Sequence, residues 1–170
     1  MNLIHPMKSI EQPFDADPQK SYTMAARYYT DENIYQQEKA DIFWQSWVYI
    51  GHSSQLKDAG DYITANLHGQ EVMVVRDQEG QLGAFFNVCP HRGHQLLTGC
   101  GNTRAIVCPY HSWCFDQQGQ FLRGRNLQDL KDFSNHEFNL KPVNTEQFLG
   151  FIFVNLDPNA KPMTQIYEGL

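Results

Sequence analysis

No apolar run in the 170-residue chain approaches the roughly 20 residues that a membrane-crossing helix needs. Positive charge is also short: thirteen Lys and Arg stand against nineteen Asp and Glu, a net charge of −6. That balance argues against nucleic acid or an anionic membrane as a partner. The start, "MNLIHPMKSIEQPF", lacks the apolar core of a secretory signal. The cytoplasm is therefore the expected compartment, where thiols stay reduced. Cysteine is scarce: there are four, and two of them, Cys89 and Cys108, each have a His close behind. That is the spacing of a metal site rather than of a disulfide framework. Repeats and low-complexity tracts are missing too, apart from the likeness of the two Cys/His loops. The length suffices for one domain, with or without an appendage, and for a core that needs no disulfide staples.

Residues 1–22 are polar and contain proline, so they read as an extended arm. "TDENIYQQEKADIFWQSW" then predicts a helix. Thr30 or Asp31 can cap its start, acidic residues fill the first turn, and Ile34, Tyr35, Ile42 and Phe43 form a broad apolar stripe expected to pack on the domain. From residue 47 the pattern turns to short strands. "WVYIGH", "DYITANL", "EVMVVRD" and "LGAFFNV" alternate or are rich in β-branched and aromatic residues, with "LHGQ" and "DQEGQ" supplying glycine at the turns. "RAIVC" enters the second Cys/His loop, "SWCFDQQGQFL" predicts a hairpin turning at Gln118 and Gly119, and "GFIFVNLD" a last buried strand. "PNAKP" then reads as a linker, and "MTQIYEGL" shows no partner in this chain. The expected fold is mainly β, an antiparallel sandwich or barrel with two metal-binding loops, preceded by an N-terminal helix.

Cys89-Pro90-His91 and Cys108-Pro109-Tyr110-His111 are separated by sixteen residues. Two thiolates and two neutral imidazoles can close a four-ligand site on one metal, such as zinc, or divide between two irons. Zinc fingers usually place the two cysteines together and the two histidines together. Here each loop contributes one of each, which suits a binuclear cluster with both sulfurs on one iron and both imidazoles on the other. His94 reads as a solvent-facing or interface residue, and His5, His52, His68 and His136 as structural or surface residues. Cys100 and Cys114 read as packed thiols. Arg92 either orders its loop or meets a partner's carboxylate, and Trp113 either shields the metal site or packs at a docking surface. Gly93 and Pro109 read as backbone devices that let the loops close.

With "CPHRG" and "CPYHSW" around the ligand pattern, the sequence resembles the Rieske [2Fe–2S] proteins. The resemblance implies Cys89 and Cys108 on one iron and His91 and His111 on the other. Respiratory Rieske proteins carry a further Cys in each loop, joined as a disulfide; His94 and Tyr110 stand at those places. They also carry Ser and Tyr hydroxyls that bond the cluster and its cysteine, where this chain has Trp113 and Phe115. A potential near the low end of the Rieske range, roughly −150 mV, is therefore expected.

"YYTDENIYQQEKADIFWQSWVYIGHSSQL" and "FLGFIFVNLDPNAKP" are similar to the start and the end of the Rieske domain in the large subunit of Rieske non-haem iron oxygenases. The expected organisation is an arm and helix over 1–45, a Rieske domain over 46–157, and over 158–170 a linker leading to a catalytic domain. "CPHRGHQLLTG" and "RAIVCPYHSW" look closest to the enzymes of carnitine, choline or glycine betaine, with ring-hydroxylating enzymes second. The resemblance implies an oxidoreductase component. A flavin-containing reductase or a ferredoxin would supply single electrons. These would pass through the histidine side to a mononuclear Fe(II) in a catalytic domain of the same or a neighbouring subunit, in a homotrimer. That iron needs two histidines and a carboxylate, and His136 is the one histidine after His111, so the catalytic iron site is not expected in this stretch. A stand-alone Rieske-type ferredoxin is the alternative.

Overall fold

The computed structural model describes residues 15–21, 23–125, 127 and 134–167. The chain divides into two compact units at Ile42 and Phe43. In the first, a single helical turn α1 (Arg27–Thr30) leads into helix α2 (Glu32–Asp41). The Asp31 side chain accepts from the Asn33 N–H at 2.8 Å, which satisfies one of the donors that a helix start leaves open. Asp31 is thus the cap, not Thr30. The helix stops at Asp41, short of the expected Trp47, and no residue of α1 or α2 is buried. Ile34, Tyr35 and Ile42 of the expected stripe fall in the first unit and Phe43 in the second. Tertiary contacts take over beyond the helix: Phe43 stacks on His68 at 3.9 Å, and the Trp44 indole N–H donates to Leu67 O at 3.0 Å.

The second unit is built on a seven-stranded antiparallel sheet in the order β1-β10-β9-β4-β3-β2-β5, with a small sheet β6-β7-β8. The strands are β1 (Val48–His52), β2 (Asp61–Leu67), β3 (Gln70–Arg76), β4 (Leu82–Phe86), β5 (Cys100–Asn102), β6 (Ile106–Val107), β7 (Cys114–Phe115), β8 (Phe121–Arg123), β9 (Pro142–Phe148) and β10 (Phe151–Asn155). β2 and β3 are joined by His68 and Gly69, both with positive φ (52° and 94°). Two left-handed residues in a two-residue loop make the turn whose twist matches its strands. The hairpin β7–β8 turns through Gly119 (φ 77°), as expected.

β3 explains how one sheet serves two cores. Val72, Met73, Val74 and Val75 are all fully buried, although side chains alternate between the faces of a strand. Val72 and Val74 join Leu56, Ile63, Leu67, Ala84, Val143, Ile152 and Val154 in the scaffold core. Met73 and Val75 point the other way, joining Phe85, Ile106, Trp113, Phe115 and Phe121 in a second core that includes Cys89 and Cys108. The metal loops are thus seated on the back of the scaffold sheet. At about 1.5–3 kcal/mol per buried aliphatic or aromatic side chain, that seat is anchored by the largest favourable term available to the fold.

Three features differ from expectation. β9, "PVNTEQF", is a polar strand between β4 and β10. Its polar side chains are used: Asn144 donates to Asp157 O (2.6 Å), Thr145 to Phe153 O (3.1 Å), and Glu146 accepts from the Met163 N–H (3.0 Å). The segment after β10 does have partners in this chain: Met163, at the start of the helical turn α3 (Met163–Ile166), is buried, and the Trp47 indole donates to Lys161 O at 3.0 Å. Cys100 lies exposed on the edge strand β5, not packed, because β5 pairs on one side alone and buries none of its residues. Cys114 is buried as expected. His52 caps the turn after β1 and His68 makes the β2–β3 turn, both structural roles, and His136 sits in a short 3-10 turn. His5 lies outside the described residues.

Candidate metal centre

The two loops are one turn used twice. In the first, the Cys89 N–H donates to His94 O (2.8 Å) and the Gly93 N–H returns to Cys89 O (2.9 Å). In the second, the Cys108 N–H donates to Trp113 O (2.8 Å) and the Ser112 N–H returns to Cys108 O (2.9 Å). Each closes through a left-handed residue four places after its cysteine, Gly93 (φ 69°) or Ser112 (φ 59°). Glycine adopts that conformation without penalty, whereas serine does so at a cost of about 1 kcal/mol or more. In both loops the backbone folds round on itself, with the Cys at its base.

The base of the first loop is tied down by Asn87, which is fully buried. Its Oδ1 accepts from the Leu96 N–H (3.2 Å) and the Leu97 N–H (2.9 Å), and its Nδ2 donates to Leu97 O (2.7 Å). A buried amide that meets its hydrogen bonds on both arms fixes the two strands of the loop together. Asn87 belongs to no ligand motif, so a reading by metal spacing passes over it. Across the loops, the His94 and Tyr110 rings lie 5.6 Å apart, a non-covalent contact between the two loops.

Cys89 and Cys108 are buried, unpaired by any disulfide, and belong to one core cluster. Burial pushes the Cys89 thiol up to about 11; the Cys108 thiol adds to the rise, while the backbone N–H groups of His91 and Arg92 oppose it. Those N–H groups are positioned to bond sulfur, a feature that tunes metal–thiolate centres. The His91 and His111 rings meet edge-on at 4.6 Å, and each has its Nδ1 buried without a hydrogen-bond partner. Burial, followed by the charges of His111 and Arg92, lowers the pKa of His91 and so favours the neutral imidazole that binds metal. Two orphaned buried nitrogens are costly unless something else satisfies them. A metal that takes lone pairs from imidazole nitrogen and thiolate sulfur fits that vacancy of bonding. Among the described residues no three His, Cys, Asp or Glu side chains gather as they would around a single ion.

Of the two roles the sequence left for Trp113, packing at an exposed surface does not agree with its position. It is buried and stacks on His91 at 4.7 Å with 9° between the rings. Phe121 and Phe138 meet it edge-on at 4.9 and 5.2 Å. Tyr110 covers His111 at 3.8 Å but is itself 58% exposed. Arg92 is exposed.

Paired thiol and imidazole loops on a double-cored antiparallel scaffold define the class: a binuclear iron–sulfur electron-transfer module. The comparisons agree. The model of the Rieske [2Fe–2S] domain matches residues 46–134, and the chain belongs to that family. The carnitine monooxygenase oxygenase subunit of Escherichia coli (strain K12) is 40% identical over 171 residues, covering 100% of this chain and 46% of the relative. The benzene 1,2-dioxygenase subunit alpha of Pseudomonas putida is 35% identical over 136 residues, 79% of this chain and 30% of the relative. A solved quaternary ammonium Rieske monooxygenase, described as giving insight into carnitine oxidation and inter-subunit electron transfer, superposes with a TM-score of 0.84 at 35% identity. That match covers 93% of this chain and 44% of the other. The chain thus spans about half the length of the carnitine monooxygenase relatives named here.

Proposed function

We propose that Cys89, Cys108, His91 and His111 hold the [2Fe–2S] cluster, the thiolates on one iron and the imidazoles on the other, and that the domain relays electrons within an oxygenase. One observation carries the ligand assignment: two buried imidazole nitrogens without partners stand beside two buried thiols, on loops of the same construction. When bound, such a cluster accepts and gives up one electron at a time. The chain's residues do the rest. The buried core under Cys89 and Cys108 keeps water from the sulfurs, Trp113 holds the His91 ring in one orientation, and Asn87 keeps the first loop closed.

A reductase or ferredoxin supplies the electron, and the histidine side passes it to a mononuclear iron domain of the same or a neighbouring subunit in a homotrimer. The substrate is a quaternary ammonium compound of the carnitine type, with an aromatic ring second, and the compartment is the cytoplasm. Boundaries near 45 and 157 separate the arm and helix, the Rieske domain and the segment leading onward. Trp113 and Phe115 offer no hydroxyl to sulfur, which supports a potential at the low end of the Rieske range, roughly −150 mV. The oxygenase reading is favoured over a stand-alone carrier because the match to the carnitine enzyme runs through the arm and helix and through the final segment, over 100% of this chain.

The test combines the cluster-loaded chain with a flavin reductase, NADH and L-carnitine, with and without a separately expressed mononuclear-iron domain. Carnitine-dependent O₂ uptake is expected with the added domain alone. Rapid exchange with the reductase, and no coupling to any such domain, would favour the stand-alone carrier.

A further inference from the structure

Two turns on different hairpins carry nearly the same five residues. Asp77-Gln78-Glu79-Gly80-Gln81 joins β3 to β4, and Asp116-Gln117-Gln118-Gly119-Gln120 joins β7 to β8. They are built alike. Asp77 Oδ1 accepts from the Glu79 and Gln81 N–H groups at 3.0 and 2.7 Å, and Asp116 Oδ1 accepts from those of Gln118 and Gln120, also at 3.0 and 2.7 Å. Each turn closes through a left-handed glycine, Gly80 (φ 79°) or Gly119 (φ 77°), a conformation glycine adopts without steric cost.

The two turns grip each other. The Gln78 amide donates to Gln117 Oε1 at 3.0 Å. In return the Gln118 amide donates to Asp77 Oδ2 (3.2 Å) and to Glu79 Oε2 (3.0 Å). Gln117 is buried, and its Nε2 donates to Thr103 O at 2.8 Å. Backbone bonds hold Thr103 to the scaffold: its N–H donates to Gly60 O (2.9 Å), and the Gly60 N–H donates to Arg76 O (2.8 Å) at the end of β3. A Cβ at Gly60 would stand 2.4 Å from Thr103 O and 3.1 Å from Gln117 Nε2, so the junction is closed around the amide.

This junction lies at the open end of the hairpin that carries the second metal loop. β6 and β7 pair over two residues each, Ile106 with Phe115 and Val107 with Cys114, against about 5–6 residues in an ordinary strand. Cys108 and His111 lie beyond one end of that short ladder, and Thr103 and Gln117 flank the other. Apolar packing of Ile106 and Phe115 holds the ladder down but is non-directional. A buried amide that meets its hydrogen bonds fixes orientation as well.

We infer that Gln117 is the positioning residue of the second metal loop, and that the exposed Gln78 acts on that loop through it. The paired turns tie the β6–β7 hairpin to the scaffold sheet, as Asn87 ties the base of the first loop, and so fix where Cys108 and His111 stand. The inference rests on the ligand assignment above, since only as ligands does the place of these two residues bear on a metal.

The test is hydrogen–deuterium exchange of the cluster-loaded chain, read by mass spectrometry over residues 103–116 for the second loop and 86–97 for the first. Gln117→Leu keeps the side chain's bulk and removes both hydrogen bonds. It should speed exchange over 103–116 about tenfold, as loss of a buried hydrogen bond does, and leave 86–97 unchanged. Release of iron to a chelator should speed by about the same factor, and the reduced-state electron paramagnetic resonance signal should broaden as His111 gains orientations. Gln78→Ala should act in the same direction, about threefold, and add nothing in the double variant, because it works through Gln117.

Exchange that speeds equally in both segments reports a general loss of stability and overturns the inference. Unchanged exchange over 103–116 overturns it too, as does a Gln78→Ala effect that adds in full to that of Gln117→Leu. If Gln117→Leu does not fold, the exposed Gln78 decides: in Gln78→Ala, faster exchange over 103–116 alone supports the inference, and no change contradicts it. An iron-free, colourless chain whose second loop still loosens selectively would sink the ligand assignment while keeping the tie between the turns.

Discussion

The indole of Trp113 lies parallel to the imidazole of His91, 4.7 Å away and 9° from coplanar. One face of His91 is therefore fixed by a buried wall, while His111 is covered by the exposed Tyr110. The two imidazoles, alike in their orphaned Nδ1 atoms, sit in unlike surroundings.

Trp113→Ala should destabilise the cluster-free domain by about 3–5 kcal/mol, because it opens a cavity among Phe121, Phe138 and His91. It should also broaden the electron paramagnetic resonance features of the loaded, reduced domain, as His91 gains orientations. Trp113→Phe keeps a ring over His91 and should keep the narrow signal. Equal broadening in both variants would separate the stack from the ring's order.

Asn87→Ala should cost about 3 kcal/mol, measured by urea unfolding, since it strands the buried Leu96 N–H and the partly buried Leu97 N–H and O without their partners. Asn87→Asp keeps both acceptor contacts, loses the donor and buries a charge, so it should also destabilise. If the alanine variant unfolds at the wild-type midpoint, the tie at the loop base is not made.

The paired left-handed residues make a reciprocal test. Ser112→Gly should stabilise by up to about 1 kcal/mol, relief of backbone strain offsetting glycine's greater freedom when unfolded. Gly93→Ala should destabilise by about 1–2 kcal/mol through backbone strain, because no atom lies within 4 Å of the Cβ it would add. Thermal unfolding of the two variants should move in opposite directions.

The raised Cys89 thiol sets a pH dependence for the cluster-free chain. Its pKa in the folded state, about 11, lies above the ordinary 9.0, so between these values the folded state holds more of the proton than the unfolded state does. Stability is then fully present below about pH 9 and declines as pH rises toward 11. Denaturation midpoints should fall across that window, and Cys89→Ser should flatten the response. A midpoint that climbs with pH would reverse the assignment.

The likeness of the two Cys/His loops and most strands were legible because they rest on local signals: fixed spacing, alternation, and glycine at turns. β2 fell where "DYITANL" placed it. What was missed depends on partners distant in sequence. β9 reads as polar, and it is a strand because Asn144, Thr145 and Glu146 find carbonyl and amide groups brought to them by β10 and α3. The helix was drawn six residues too long because Phe43 and Trp44 continue its apolar pattern, yet they are claimed by His68 and Leu67. Cys100 was assigned to the core by residue type, and an edge strand left it exposed. Asn87 and Ser112 carry no motif at all; only the closed loops show what each does.

The most direct measurement is the iron, zinc and acid-labile sulfide content of the purified chain, taken with its reduced-state electron paramagnetic resonance spectrum and repeated for His91→Ala and Cys108→Ala. Iron and sulfide in equal amounts at two of each per chain, as a [2Fe–2S] domain holds, with a mixed thiolate–imidazole signal lost in both variants, is the predicted result. One zinc per chain without sulfide, or a cluster that survives both substitutions, would contradict the ligand assignment.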